Sequence, residues 1–197
     1  MKLNKKNNFE NTIKDSIKVI KSLSKFKTEI INIVEKIHLT IKKNNRIFIC
    51  GNGGSAAEAN HLAAEFVVRL NPKINRAPYP VISLASNSSI LTACGNDYGF
   101  NNIFSRSLEA LGKRGDLLIT LSTSGNSKNI IEVLKMAKKK NIDTVSLLGS
   151  GGGKAKKMSK TNLIVQSRNV AKIQEAHLLI GHYIFNEAEN KILNTKK

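Results

Sequence analysis

Five short apolar runs recur along this chain, each followed by a polar or glycine-bearing turn and then a stretch of helical spacing. They are Arg46–Cys50, Val81–Leu84, Leu117–Leu121, Ile142–Leu148 and Asn162–Val165. Continuous apolar runs of this length are what a strand shows when both sheet faces are covered. Helical stretches between them act as crossovers, which makes the strands parallel. The expected fold is therefore α/β: a three-layer open sandwich with a five-stranded parallel sheet flanked by helices, in a Rossmann-like, flavodoxin-like arrangement.

Two amphipathic helices are expected ahead of the first strand. Residues 9–24 carry Phe9, Ile13, Ile17, Ile20 and Leu23, and 27–43 carry Ile30, Ile33, Val34, Ile37 and Ile41 at helical spacing. Such stripes cover a sheet face or another subunit. Further helices are expected over 55–70, 87–94, 101–111, from the second polar loop to Lys140, and over 171–191. Gly95-Asn96-Asp97-Tyr98-Gly99 reads as the break between two of them, and Gly149–Gly153 as a solvent-exposed turn. A chain of 197 residues suffices for one core. One domain over 1–197 is expected, with 1–44 as a helical pair for packing and oligomerisation.

The balance of 32 Lys plus Arg against 14 Asp plus Glu, a net +18, raises the question of a polyanionic partner. Aromatics are only 5% and Trp is absent, and no strand interleaves aromatic and basic residues for base stacking. A nucleic-acid partner is not expected, and an anionic small substrate benefits from the same field. Cys50 and Cys94 form no CxxC pair, which suits reduced thiols. No apolar run of 18 residues or signal-peptide core is present, so a cytoplasmic protein with no membrane span is expected.

Two polar loops carry the chemistry. Gly51-Asn52-Gly53-Gly54-Ser55 follows the first strand, and Ser122-Thr123-Ser124-Gly125-Asn126-Ser127 follows the third. The first lacks the third glycine of a dinucleotide fingerprint, and neither ends in Gly-Lys-Ser/Thr, which disfavours NAD and ATP. Hydroxyls and free N–H groups at a helix start suit a phosphate monoester. His61 and Glu65 stand one turn apart on one helix. Gln174 and His182 on another are separated by about 80° and 12 Å, an awkward span for one metal unless helices or subunits meet around it. His177 and Glu175 compete for the same role, whereas His38 reads as surface.

Cys50–Ser55, Gly95–Phe100, Ser122–Ser127 and Ile173-Gln174-Glu175-Ala176-His177, in this order and spacing, resemble the sugar isomerase (SIS) domain family and its bacterial phosphoheptose isomerases. The resemblance covers nearly the whole chain. It implies an aldose–ketose isomerase that converts D-sedoheptulose 7-phosphate to D-glycero-D-manno-heptose 7-phosphate through an enediol, for ADP- or GDP-heptose and lipopolysaccharide or surface glycan. It also implies that Asn52, Gly53, Gly54, Glu65, Asn96, Asp97 and Gln174 contact substrate. Ser122, Thr123, Ser124 and Ser127 would hold the phosphate. His61, Glu65, Gln174 and His182 would bind one zinc ion per subunit, with Glu65 and His182 moving protons. A homotetramer with sites at subunit interfaces is implied too. The alternative within the family is a non-catalytic phosphosugar-binding or replication-initiator-associating protein. Such relatives typically lose the Glu and the second His, and both are present here.

Overall fold

Successive side chains of a strand point to opposite sides of a sheet, and in this protein that alternation divides the core in two. The computed structural model describes residues 9–194. Residues 1–8 and 195–197 of the expected single domain lie outside the described part. Its strands are β1 (Ile47–Gly51), β2 (Val81–Ser83), β3 (Leu117–Ser122), β4 (Asp143–Gly149) and β5 (Thr161–Val165). All pair in parallel, in the order β2-β1-β3-β4-β5. Ile47, Ile49, Leu117, Ile119 and Leu121 belong to one core cluster, and Phe48, Cys50 and Leu118 to the other. The parallel α/β architecture expected from the continuous apolar runs is the one observed.

The helices are α1 (Phe9–Lys21), α2 (Lys27–Lys42), α3 (Gly54–Val67), α4 (Ser88–Tyr98), α5 (Ile103–Leu111), α6 (Lys128–Lys139) and α7 (Val170–Asn194). Buried residues of α2, α3 and α7 fill the first cluster, and those of α4, α5 and α6 the second. Sequence neighbours β1 and β2 therefore lie to one side of the switch between β1 and β3, with β3, β4 and β5 to the other. In open α/β sheets the ligand crevice forms where the strand order reverses, outside the carboxyl ends of the strands.

Four local expectations are corrected. The helix expected over 9–24 ends at Lys21, and Ser22–Phe26 forms a tighter 3-10 turn that redirects the chain into α2. Gly95–Tyr98 is not a break but the last turn of α4, which stops at Gly99, whose φ of 81° is left-handed. His38 is buried on α2 at 5% exposure, with Nδ1 3.6 Å from Glu35. The glycine turn 149–153 is exposed only in part: Gly152 is buried against the second polar loop.

Arg76 fastens the loop before β2 to two helices at once. Its side chain is 2% exposed and pairs with Glu189 of α7, itself 1% exposed. The same guanidinium donates from Nη2 to the Glu65 carbonyl at 3.1 Å and from Nη1 to the Val68 carbonyl at 3.3 Å. It also lies 4.3 Å from the Tyr79 ring centroid. Those carbonyls stand at the end of α3, where the helix has no further N–H to offer and a cation is favoured. Arg76→Ala and Glu189→Ala should each lower the unfolding free energy by about 3–5 kcal/mol, because each strands a buried charge. The paired Arg76→Met/Glu189→Leu variant should lose less, and urea unfolding of the three proteins checks the order.

His177 is fully buried on α7, and neither ring nitrogen makes a regular hydrogen bond. Burial drives its pKa down from 6.5 to about 4, against an opposing contribution from the Leu148 backbone. The unfolded chain takes up this proton below pH 6.5 and the folded chain refuses it until about pH 4. The stability it contributes is therefore complete above 6.5 and lost as pH falls toward 4, by about 3 kcal/mol. Glu58, whose carboxyl burial raises to about 7, works in the opposite direction over its own range. The unfolding midpoint of the wild type should fall relative to that of His177→Phe as the pH is lowered from 7 to 4.5.

Candidate functional site

A small cavity of about 220 Å³ opens at the crevice between the carboxyl ends of β1 and β3. Asn52, Gly54 and Ser55 line it from the first loop, Ser122, Thr123 and Ser127 from the second, and Val170 and Gln174 from α7. Three helices, α3, α6 and α7, begin there, so their partial positive ends converge on it. Ser127 is the residue before α6, and its hydroxyl makes no capping bond, which leaves it for a ligand. The Ser122 hydroxyl accepts from Gly125 N at 3.0 Å and so shapes the turn as well as lining the cavity. Hydroxyls, free N–H groups and converging dipoles make an anion site.

Two contacts hold the loops in register. Asn52 and Asn129 exchange two amide hydrogen bonds, each 2.8 Å, across the crevice. Asn129 is buried on α6, and nothing in the sequence pattern singled it out. Gly125 adopts a φ of +64°, and its Cα faces the Gly152 backbone so closely that a Cβ has no room. Ala155 N donates to the Gly125 carbonyl at 2.9 Å, and Lys154 N to Asn126 Oδ1 at 3.0 Å. The turn after β4 thus backs the serine loop. Ser124 takes part in this support: its hydroxyl accepts from Asn126 N at 3.1 Å, and it does not line the cavity.

Farther along the seam between α3 and α7, His61, Glu65 and His182 come together within one chain. Their ligand atoms lie within 4.8 Å of one another, the one such group among the described residues. His61 Nε2 and His182 Nε2 are 2.8 Å apart, with the rings edge to face. Glu65 Oε1 is 3.5 Å from His61 Nε2. Two imidazole nitrogens and a carboxylate oxygen this close together are a donor set of the kind that holds a catalytic divalent metal with a position left open. The cluster can therefore coordinate a metal ion.

Gln174 lies at the other end of the seam, with its side-chain amide directly over the Cα of Gly54. It belongs to the phosphate-type cavity, two turns of α7 before His182. Gly53, with φ +54°, is an exposed residue of the first loop. Asn96 and Asp97 are exposed at the end of α4, joined by a 2.8 Å hydrogen bond, and neither lines the cavity of this chain. The competing residues part company: His177 faces the core, and Glu175 pairs with Lys172 and Ser16, whose hydrogen bonds hold its carboxyl below the usual range. Glu58, between the cavity and the histidines on α3, has its carboxyl raised to about 7 by burial, partly offset by the Ser55 hydroxyl. No helix among the described residues is long and apolar enough to cross a membrane.

The comparison with known proteins agrees with this geometry. The SIS domain family matches residues 8–149. The phosphoheptose isomerase of Clostridium acetobutylicum is 42% identical over 194 residues, covering 97% of this chain and 98% of that protein. Among solved structures, the phosphoheptose isomerase of Neisseria gonorrhoeae superposes with a TM-score of 0.86 at 34% identity, over 92% of this chain and 96% of that one. That of Francisella tularensis gives 0.90 at 28% identity, over 95% and 100%. This chain belongs to the SIS-domain family, among its phosphoheptose isomerases.

Proposed function

We propose that this protein is an aldose–ketose isomerase that converts D-sedoheptulose 7-phosphate to D-glycero-D-manno-heptose 7-phosphate. The observation that carries the reading is the two-part seam: an anion cavity at Gly54 and Gln174, and a His/Glu/His cluster farther along the same two helices. Seven residues of α3 and eight of α7 separate them, about 10–12 Å at helical rise. That is the scale of an extended sugar phosphate, with its phosphate at one end and its C1–C2 pair at the other. The product would serve nucleotide-activated heptose for lipopolysaccharide or another surface glycan.

Glu65 takes a proton from C1 of the ketose, and the C1–H electrons form the C1–C2 double bond of an enediol while His182 protonates O2. Return of the Glu65 proton to C2, with the O1 proton passing to His182, completes the aldose and restores both residues. Oε1 of Glu65 and Nε2 of His182 face His61, so each residue keeps a second heteroatom for proton work. His61, Glu65 and His182 would hold one zinc ion per subunit, which would supply Lewis acidity toward the carbonyl oxygen when bound, and Gln174, at the phosphate end of its own chain, would reach that ion only from a neighbouring subunit. Ser122, Thr123 and Ser127, with Asn52 and Gly54, hold the phosphate, and this remote binding fixes C1 and C2 in place. Ser124 supports their loop.

A homotetramer is part of this reading. Phe9, Ile13, Ile17 and Ile20 form an exposed apolar stripe on α1, which buries no residue of its own. Asn96 and Asp97, which do not line the cavity of their own chain, are the groups a neighbouring subunit's site would take up.

Turnover of sedoheptulose 7-phosphate by chelator-stripped protein should fall at least tenfold and return with zinc. Glu65→Gln should lower kcat by about 10²–10⁴ with an unchanged unfolding midpoint, and near-native turnover would remove Glu65 as the base. Gly54→Ala places a methyl group where the Gln174 amide sits. It should raise KM severalfold and shift the thermal midpoint little, because the end of a flexible side chain yields more easily than backbone.

A further inference from the structure

The lysines that the sugar-phosphate crevice does not use are gathered elsewhere. Lys138 and Lys139 at the end of α6, and Lys157 before β5, stand apart in sequence yet line one cavity of about 800 Å³. Lys135 and Lys160 line it too, and no Asp or Glu does. Leu134 and Ile142 lie beneath it, almost fully buried, and half-buried Met158 is the apolar side chain it exposes. We propose that this cavity is a second anion site, for a nucleoside di- or triphosphate.

Among the described residues, three of the five lining lysines have a carboxylate partner and two do not. Glu132 pairs with Lys135 at 2.7 Å, Glu109 with Lys139 at 3.4 Å, and Asp143 reaches Lys160 at 3.7 Å. Among the described residues, no carboxylate stands within 4 Å of Lys138 or Lys157. The dipole of α6 accounts for lysines in its last turn, but it does not account for Lys157 and Lys160, which approach from another element. Ammonium groups around one concavity repel one another, and a compact ligand with three or four negative charges relieves that repulsion.

Shape selects the kind of anion. The volume falls in the range of small-molecule pockets, lysines serve as point-charge phosphate ligands, and half-buried Met158 with the aliphatic stems of the lysines supplies apolar contact for a base. No aromatic side chain lines the cavity, so it lacks the stacking platform of a single-strand binder. It opens at the amino-terminal ends of β4 and β5, whereas the crevice lies at the carboxyl ends. The seven residues of β4 separate the two by about 20 Å, so a ligand here does not touch the reacting carbons.

The test is isothermal titration of the full chain with ATP and GTP at about 150 mM salt, beside a 20-nucleotide single-stranded DNA. The expected result is one saturable equivalent of nucleotide per chain, not displaced by excess sedoheptulose 7-phosphate. Lys138→Glu/Lys157→Glu should weaken it at least tenfold. Lys43→Glu/Lys73→Glu, which removes the same charge from exposed positions outside the cavity, should weaken it less than twofold. All four sites are exposed, and circular dichroism verifies the fold of both variants. Absence of saturable binding, equal loss in both variants, displacement by the sugar phosphate, or tighter binding of the oligonucleotide would each overturn the proposal.

Discussion

The buried pair of Arg76 and Glu189 is the constraint on which the rest of the site depends. It joins the end of α3 to α7, and those two helices carry His61, Glu65, Gln174 and His182. An ion pair this deeply buried adds little net stability over well-packed apolar residues, because desolvation offsets the attraction. It does demand one geometry, since either charge left alone is costly. Arg76 also binds the carbonyl of Glu65 itself. The position of that carboxylate against His182 is therefore coupled to a proline-rich loop that reaches the Glu65 backbone.

The other end of the seam is built by a different principle. Parallel strands send their chain out at one edge, and the reversal of strand order between β1 and β3 leaves a crevice there. Three helix starts and a ring of hydroxyls make that crevice anionophilic, and the Asn52–Asn129 amide pair holds its two walls together. The hydroxyl-lined crevice and the His/Glu/His cluster are thus placed at opposite ends of one pair of helices. The strong positive charge of the chain is not spread evenly over this plan: a share of it collects at the far edge of the sheet, away from the crevice.

Much of this was legible in the residues. The apolar runs forecast the parallel sheet because a strand covered on both faces has no polar side to display. The two loops and the His61/Glu65 pair were legible because short-range spacing on a helix or turn is set by local geometry alone. His38 was misread as surface, since its lysine-rich neighbours say nothing about the helix that packs over it. The reading of Gly149–Gly153 as a solvent-exposed turn missed the buried Gly152, since a glycine chosen for close backbone approach looks the same in sequence as one chosen for flexibility.

The sequence by itself determined the class of fold, the order of its elements, the phosphate-type loops and the residue types able to bind a metal. These follow from periodicity and local spacing, which the chain carries without reference to distant parts. Only the tertiary structure decided which of these groups meet. It brought His182 to His61 across 121 positions, left Gln174 at the phosphate end, turned His177 into the core, and gathered separate lysine clusters around one cavity. Such meetings depend on the register of packed helices and the switch point of the sheet, and no local pattern records either.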